Sequence, residues 1–228
     1  MSLITAKNIQ KSFGTGTLLT HVLRGIDIAI EEGEFVAIMG KSGAGKSTLM
    51  YQLSVLDEPT DGSITIADTD VLALTEAEQT DFRLTMLGYV FQDYALVPDL
   101  SAVENVMLPL LMKGGAWSAA RTVAESAMDA VGLEHKYLNM PSELSGGEQQ
   151  RVAIARAVAG KPKILFADEP TANLDSISGT QIVELLTSLN RDRGQTVVMV
   201  THEREYALSC NRIVHMEDGR IVNEEHLR

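Results

Sequence analysis

Cysteine is nearly absent from this sequence: Cys210 is the only one in 228 residues, so no internal disulfide can form. A bridge-stapled scaffold is excluded, and the usage fits a reducing compartment. No partner motif surrounds Cys210, which reads as a small packing residue. Long apolar runs are missing too. The stretch from Val106 to Met112 is broken by Pro109 and falls far short of the ~20 residues that span a bilayer. Residues Met1 to Lys11 contain no apolar segment of the kind found in secretion signals. A cytosolic, soluble chain is therefore expected. Basic residues are in deficit, with 19 Lys and Arg against 31 Asp and Glu and a net charge of −12. Duplex binding rests on basic patches that neutralise phosphates, so nucleic acid is not expected as a partner. A local phosphate pocket remains open, because it needs only a few amides and one lysine. Repeats, low-complexity tracts and linkers are also lacking.

What is present is a core-forming composition, 45% hydrophobic, in a length that suits one α/β domain or a domain with an insertion. Val22, Ile26, Ile28 and Ile30 alternate as a strand would, and Glu31-Glu32-Gly33 ends the run. Phe35 to Met39 is a short continuous apolar run, the pattern of a strand covered on both faces. Further strands are predicted at Gly62–Ile66, Leu87–Phe91, Lys163–Ala167 and Thr196–Val200. A hairpin is expected around Asp218-Gly219, joining Arg212–Met216 to Ile221–Val222. Between Ser101 and Gly160 the pattern turns helical. Ser101 and Glu104 stand at capping-box spacing, and Gly132, Gly160 and Pro162 stand where helices stop. The reading is one α/β core with a helical insertion near its middle.

The chemistry begins at Gly40. The run Gly40, Lys41, Ser42, Gly43, Ala44, Gly45, Lys46, Ser47 and Thr48 matches the phosphate-loop pattern completely. It lies between a buried strand and a helix, the context that pattern needs. Its glycines let backbone amides turn toward phosphate oxygens, and the helix start adds a partial positive charge. Lys46 would reach the β and γ phosphates, and Ser47 would offer its hydroxyl to Mg²⁺. Four apolar residues from Ile164 then deliver Asp168 to the carboxyl end of a strand, where open α/β sheets bind ligands. Asp168 suits Mg²⁺, and Glu169 suits a general base that polarises water. Taken alone, this acidic pair would equally be a solvated strand end; a phosphate loop in the same chain favours the chemical reading.

The stretch from Leu144 through Ser145, Gly146, Gly147, Glu148, Gln149 and Gln150 to Arg151 resembles the signature sequence of ATP-binding-cassette (ABC) ATPases, and the likeness runs on to Arg156. Physically it is a second anion-binding helix start, again with capping-box spacing between Ser145 and Glu148. The motifs follow the family's order. Gln92 resembles the glutamine that senses Mg²⁺ and the γ-phosphate. Asn173-Leu174-Asp175 resembles the loop that crosses the dimer interface. His202 resembles the histidine that contacts the γ-phosphate. Phe13 stands where the family places an aromatic residue against adenine, though the same residue would also serve in a core. Lys41, where relatives carry a small residue or proline, and Glu203, where aspartate is commoner, depart from the pattern without touching a residue assigned to chemistry. Within the family the likeness is strongest to the subfamily of lipoprotein release and macrolide export, through Leu87–Asp93 and Leu96–Leu110.

The resemblance covers essentially the whole chain and implies the ABC ATPase fold: a phosphate-loop core with a mixed sheet, an antiparallel β subdomain and an inserted α-helical subdomain. It divides a single domain, 1–228, into an α/β core with an N-terminal β subdomain (1–92 and 161–228) and a helical subdomain of about 93–160. It implies ATP and Mg²⁺ as cofactors and a catalytic set of Glu169, His202, Lys46 and Gln92, with Ser47, Gln92 and Asp168 toward the metal. It implies a head-to-tail homodimer in the ATP-bound state, each ATP lying between one phosphate loop and the partner's Ser145–Glu148 helix start. A transmembrane permease on a separate chain is the implied partner, docking in a groove sought at Asp93–Leu111 with Tyr94, Leu96 and Leu100. The expected place is the cytoplasmic face of the inner membrane. Two other readings stay open: a regulatory ATPase that signals through a membrane partner in cell division, and a soluble ABC ATPase acting on DNA or ribosomes. The second lacks the paired cassettes or long insertions those relatives carry.

Overall fold

The computed structural model describes residues 2–227. Met1 and Arg228, which the single-domain expectation includes, lie outside them. The chain opens with β1 (Ser2–Phe13), β2 (Thr20–Glu31) and β3 (Phe35–Gly40), then α1 (Lys46–Leu53). Next come β4 (Asp61–Ile66), the short β5 (Thr69–Asp70), α2 (Glu76–Met86) and β6 (Leu87–Val90). Three helices follow: α3 (Ala102–Met112), α4 (Trp117–Asp129) and α5 (Gly146–Ala159). The last part holds β7 (Ile164–Asp168), α6 (Ser176–Arg193), β8 (Thr196–Val200), α7 (Arg204–Ala207), β9 (Arg212–Glu217) and β10 (Arg220–His226).

The strands form two sheets. One has four antiparallel strands in the order β2-β1-β4-β5. The other has six, β10-β9-β3-β8-β7-β6, parallel throughout except for the β9–β10 hairpin at its edge. Side-chain alternation along the central strands divides the interior in two. Val36, Ile38, Ile164, Phe166, Val198 and Val200 face a core shared with the antiparallel sheet and α1. Ala37, Met39, Leu165, Ala167, Val197 and Met199 face a core shared with α3 to α6. Arg212, 7% exposed, fastens the sheets together. Its guanidinium donates to both Glu34 carboxylate oxygens at 2.7 and 3.1 Å, to Glu224 on β10 at 2.6 Å, and to the Ala29 carbonyl on β2 at 2.7 Å.

Several local expectations meet a physical refinement. The alternation Val22–Ile30 breaks once: Leu23 is buried as well as Ile26, and Gly25 between them takes a φ of 79° that resets the faces. Asp218 and Gly219 both have positive φ, 46° and 75°, as a two-residue turn of right-twisted strands requires. Gly160 ends α5 with ordinary helical φ; the left-handed residue is Lys161, φ 52°, just before Pro162. Pro109 does not break the apolar run as a structure, since it sits inside α3. At the start of α3 the Glu104 carboxylate accepts from the Ser101 N–H at 2.9 Å and from its hydroxyl at 2.6 Å. Helices α2 and α6 carry no expectation from the apolar pattern.

Candidate active site

The phosphate loop hangs between the buried strand β3 and α1, as the motif requires. Gly40 closes β3, where a Cβ would meet the Met216 carbonyl oxygen at 2.3 Å. Gly45 takes φ 94° at the start of α1, a turn that L side chains rarely make. The loop is tied down by its own backbone, Ala44 N–H donating to the Lys41 carbonyl at 3.1 Å, and by the hairpin, Gly219 N–H donating to the Ala44 carbonyl at 3.2 Å. Lys46 is only 7% exposed and its ammonium donates to the Lys41 carbonyl at 3.2 Å. That single carbonyl leaves two ammonium donors for an incoming anion. The departing residue Lys41 contributes its backbone; its side chain is solvated, 3.8 Å from the Glu217 carboxylate. Ser42 and Gly43 are exposed at the loop's crest, and Thr48 is half-buried in α1.

Strand β7 brings Asp168 against this loop. The Ser47 hydroxyl donates to Asp168 Oδ1 at 3.1 Å, and the Tyr89 hydroxyl lies 3.5 Å from Oδ2. Burial pushes the Asp168 carboxyl above its ordinary range, opposed by the Ser47 hydrogen bond and reinforced by neighbouring Glu169. Burial likewise pushes the Tyr89 phenol up, so it stays protonated and able to donate. Glu169 leaves the strand with φ 43°, its N–H held by the Val200 carbonyl at 3.0 Å. This turn aims its carboxylate at His202 across the end of β8, where Oε2 lies 3.4 Å from Nδ1. Lys46, Ser47, Asp168, Glu169 and His202 therefore converge at the carboxyl ends of β3, β7 and β8. Glu203, the other departure, accepts from the Thr171 hydroxyl at 3.4 Å and takes no part in that cluster.

Gln92 stands just beyond β6 with an exposed side chain, while its carbonyl accepts from Asn173 Nδ2 at 3.1 Å. Asn173 also reaches Asp93 Oδ1 at 3.2 Å, and the Tyr94 hydroxyl donates to the Asn173 carbonyl at 3.4 Å. Tyr94 and Ala95 are both left-handed, φ 59° and 49°, and Arg156 on α5 donates to both of their carbonyls. Sequence reasoning assigned neither Tyr89 nor Arg156 to this site; both lie inside quoted motifs, but their partners are distant in the chain. Phe13 ends β1 48% exposed, with the Lys11 ammonium 5.1 Å from its ring centre, so it is not a core residue.

Ser145 caps α5 as its spacing predicts. The Glu148 N–H donates to the Ser145 hydroxyl at 3.3 Å and the Glu148 carboxylate accepts from the Ser145 N–H at 2.8 Å, which lowers that carboxyl's pKa. Lys136 adds an ion pair at 3.2 Å. Gly146 and Gly147 open the helix, and a Cβ on Gly146 would meet the Tyr94 hydroxyl at 2.8 Å. This second helix start is not part of the first site. Helix α5 packs on α3, α4, α6 and β6, whereas α1 packs on β1, β2, β3, β7 and β8 across the central sheet. An apolar groove of about 480 Å³ lies beside α5, with Leu84, Leu87, Phe91, Leu108, Met112 and Arg156 among its walls. Of the segment expected to form a groove, Leu108 and Pro109 line it; Tyr94, Leu96 and Leu100 do not, and Leu96 packs on the core. Among the described residues no helix is long and apolar enough to cross a membrane.

The chain is 47% identical over 221 residues to the lipoprotein-releasing system ATP-binding protein LolD of Syntrophotalea carbinolica, covering 97% of both chains. It is 43% identical to the macrolide export ATP-binding/permease protein MacB of Aggregatibacter actinomycetemcomitans, of which it spans 35%. In structure it matches the ATP-binding cassette MJ0796, seen as a dimer in a post-hydrolysis state with ADP and Pi, with a TM-score of 0.92, 43% identity and 99% of both chains covered. Residues 23–172 match the family described as ABC transporter, and with these relatives they place the chain in that family as an ATP-binding ATPase cassette.

Proposed function

We propose that this cassette closes in pairs around two ATP molecules and uses their hydrolysis to drive a separate transmembrane partner in export or lipoprotein extraction. The observation that carries the chemical part is the convergence of Glu169, His202, Asp168, Ser47 and Lys46 at one sheet edge. Lys46 and the loop amides hold the triphosphate. Glu169 accepts the proton of the attacking water, and His202, beside it, orients that carboxylate and the γ-phosphate. The hydroxyl of Ser47 and the carboxylate of Asp168 already meet, and burial leaves Asp168 short of positive charge. This donor set fits Mg²⁺, with Gln92 as a further ligand; bound with ATP, the ion would neutralise charge on the phosphates. Exposed Phe13 suits stacking on adenine.

The pairing rests on the separate helix start at Ser145–Glu148, which stands apart from the phosphate loop of its own chain. A two-fold pair would set it against the partner's phosphate loop and complete two composite sites. The helices between β6 and β7 would then act as one unit, residues about 93–160, carrying the signature motif. The partner's route in is the apolar groove: Arg156 both lines it and holds the turn behind Gln92, so a docked cytoplasmic helix would bear on the γ-phosphate sensor. The names of the relatives favour lipoprotein release or macrolide export over a role in cell division, and a membrane partner of that kind would hold the cassette at the cytoplasmic face of the inner membrane. The test is Glu169→Gln, followed by ATPase assay and size-exclusion chromatography with ATP. Hydrolysis is expected to fall by orders of magnitude while nucleotide binding stays and a stable dimer accumulates. A monomeric, fully active variant would refute the role of Glu169.

A further inference from the structure

Gln150 is fully buried in α5, and neither its side-chain oxygen nor its nitrogen has a hydrogen-bond partner among the described residues. A buried amide with both ends unpaired is strongly disfavoured and rare in folded proteins. Its place in the helix is specific. At ~100° per residue, Gln150 falls between Gly146 and Gly147 around the axis, one turn deeper than the signature glycines. That face is turned to residues 173–178: a Cβ on Gly146 would come 3.3 Å from Leu174 Cδ2 and 3.6 Å from the Asn173 carbonyl oxygen, and one on Gly147 would come 3.3 Å from Ser178 Oγ. The unsatisfied amide thus lies on the face of α5 whose first turn meets Asn173, Leu174 and Ser178, one turn below the helix start read as one wall of the ATP site.

We propose that Gln150 is a positioning residue for hydrolysis, paired with backbone groups of residues 173–175 when ATP closes the dimer and unpaired when the cassette is open. The inference rests on the composite-site reading above. Its physical content is a difference between states: the unpaired amide penalises the open chain, and closure relieves the penalty. Closure would thereby lock the signature helix and the interface loop of one subunit into a single rigid wall. An apolar side chain of similar length would remove the penalty from the open state and the hydrogen bonds from the closed one. The two states should therefore respond in opposite directions.

The experiment introduces Gln150→Leu into the wild type and into Glu169→Gln, with Gln150→Met as the second variant should the first not fold. Melting of the nucleotide-free protein and ATP-dependent dimerisation, by analytical ultracentrifugation, are the two readouts. The expected result is a higher Tm without nucleotide, together with dimerisation weakened by about tenfold, or ~1.4 kcal/mol. A lower Tm would show the amide already satisfied, for instance by a buried water, and would overturn the proposal. So would an unchanged Tm or an unchanged dimerisation constant. Failure of Glu169→Gln alone to dimerise with ATP would overturn the composite-site reading, and this inference with it.

Discussion

Asp168 shows at the scale of one residue what burying a carboxylate at the candidate site costs. It is 5% exposed, and burial raises its pKa. A carboxyl whose folded pKa lies above its unfolded value favours folding below the unfolded value, and that contribution is lost as pH rises through the folded pKa. Wherever this carboxyl is ionised, the nucleotide-free protein holds a group whose charged form burial disfavours. Asp168→Asn keeps an oxygen that can accept from Ser47 and removes the charge. A gain of about 1 kcal/mol is expected, which in a chain of this size raises Tm by ~2–4 °C. ATP hydrolysis should be lost in the same variant, because Mg²⁺ would lose its carboxylate. Scanning calorimetry without nucleotide, beside a phosphate-release assay, measures both. A lower Tm would mean that the ionised carboxylate is stabilised by its neighbours rather than strained.

Among the elements, α2 exposes the limit of apolar patterning. Its sequence is mostly polar and only Gln79 is buried, so no apolar stripe announces a helix. What starts it is a cap: the Glu78 N–H donates to the Thr75 hydroxyl at 3.4 Å, and the Thr75 N–H donates to the Glu78 carboxylate at 2.8 Å. Thr75→Ala should cost ~1 kcal/mol without changing ATPase activity, read as a drop in Tm. The same device recurs with Glu104 and Glu148, and hydrogen bonds to the capping Thr75, Ser101 and Ser145 lower the pKa of all three carboxyls. Lowered folded values give stability that is present above the ordinary carboxylate value and lost as pH falls through the lowered ones. Converting the three glutamates to alanine should flatten the acid side of the Tm–pH curve. An unaltered acid slope would show that other carboxylates set it.

At the scale of the whole molecule, the central sheet keeps the starts of α1 and α5 apart. The loop before α1 belongs to one core and the start of α5 to the other. On the composite-site proposal, one chain would not close its own Ser145 helix start onto the ATP held by its own loop, and a self-complementary pair would be the economical solution. Ser145→Arg places a long cation at that helix start. It should abolish ATP-dependent dimerisation and hydrolysis while nucleotide binding to the separate subunit persists, as titration with a fluorescent ATP analogue would show. Lost binding in this variant would place the signature inside the subunit's own site.

The phosphate loop, the Asp168-Glu169 strand end and the capped start at Ser145 were legible without coordinates, because each is a short segment whose chemistry depends on immediate neighbours. The buried strands were legible for the same reason: a strand covered on both faces must be apolar throughout. The sheet order β10-β9-β3-β8-β7-β6 was not, nor was the grip of Arg156 on Tyr94 and Ala95, 62 and 61 residues away. Nor did the sequence alone show that Phe13 faces solvent or that Gln150 is buried without a partner. These depend on which distant segments share a face, and that is decided by packing the two cores against one sheet, where burial and pairing are settled together.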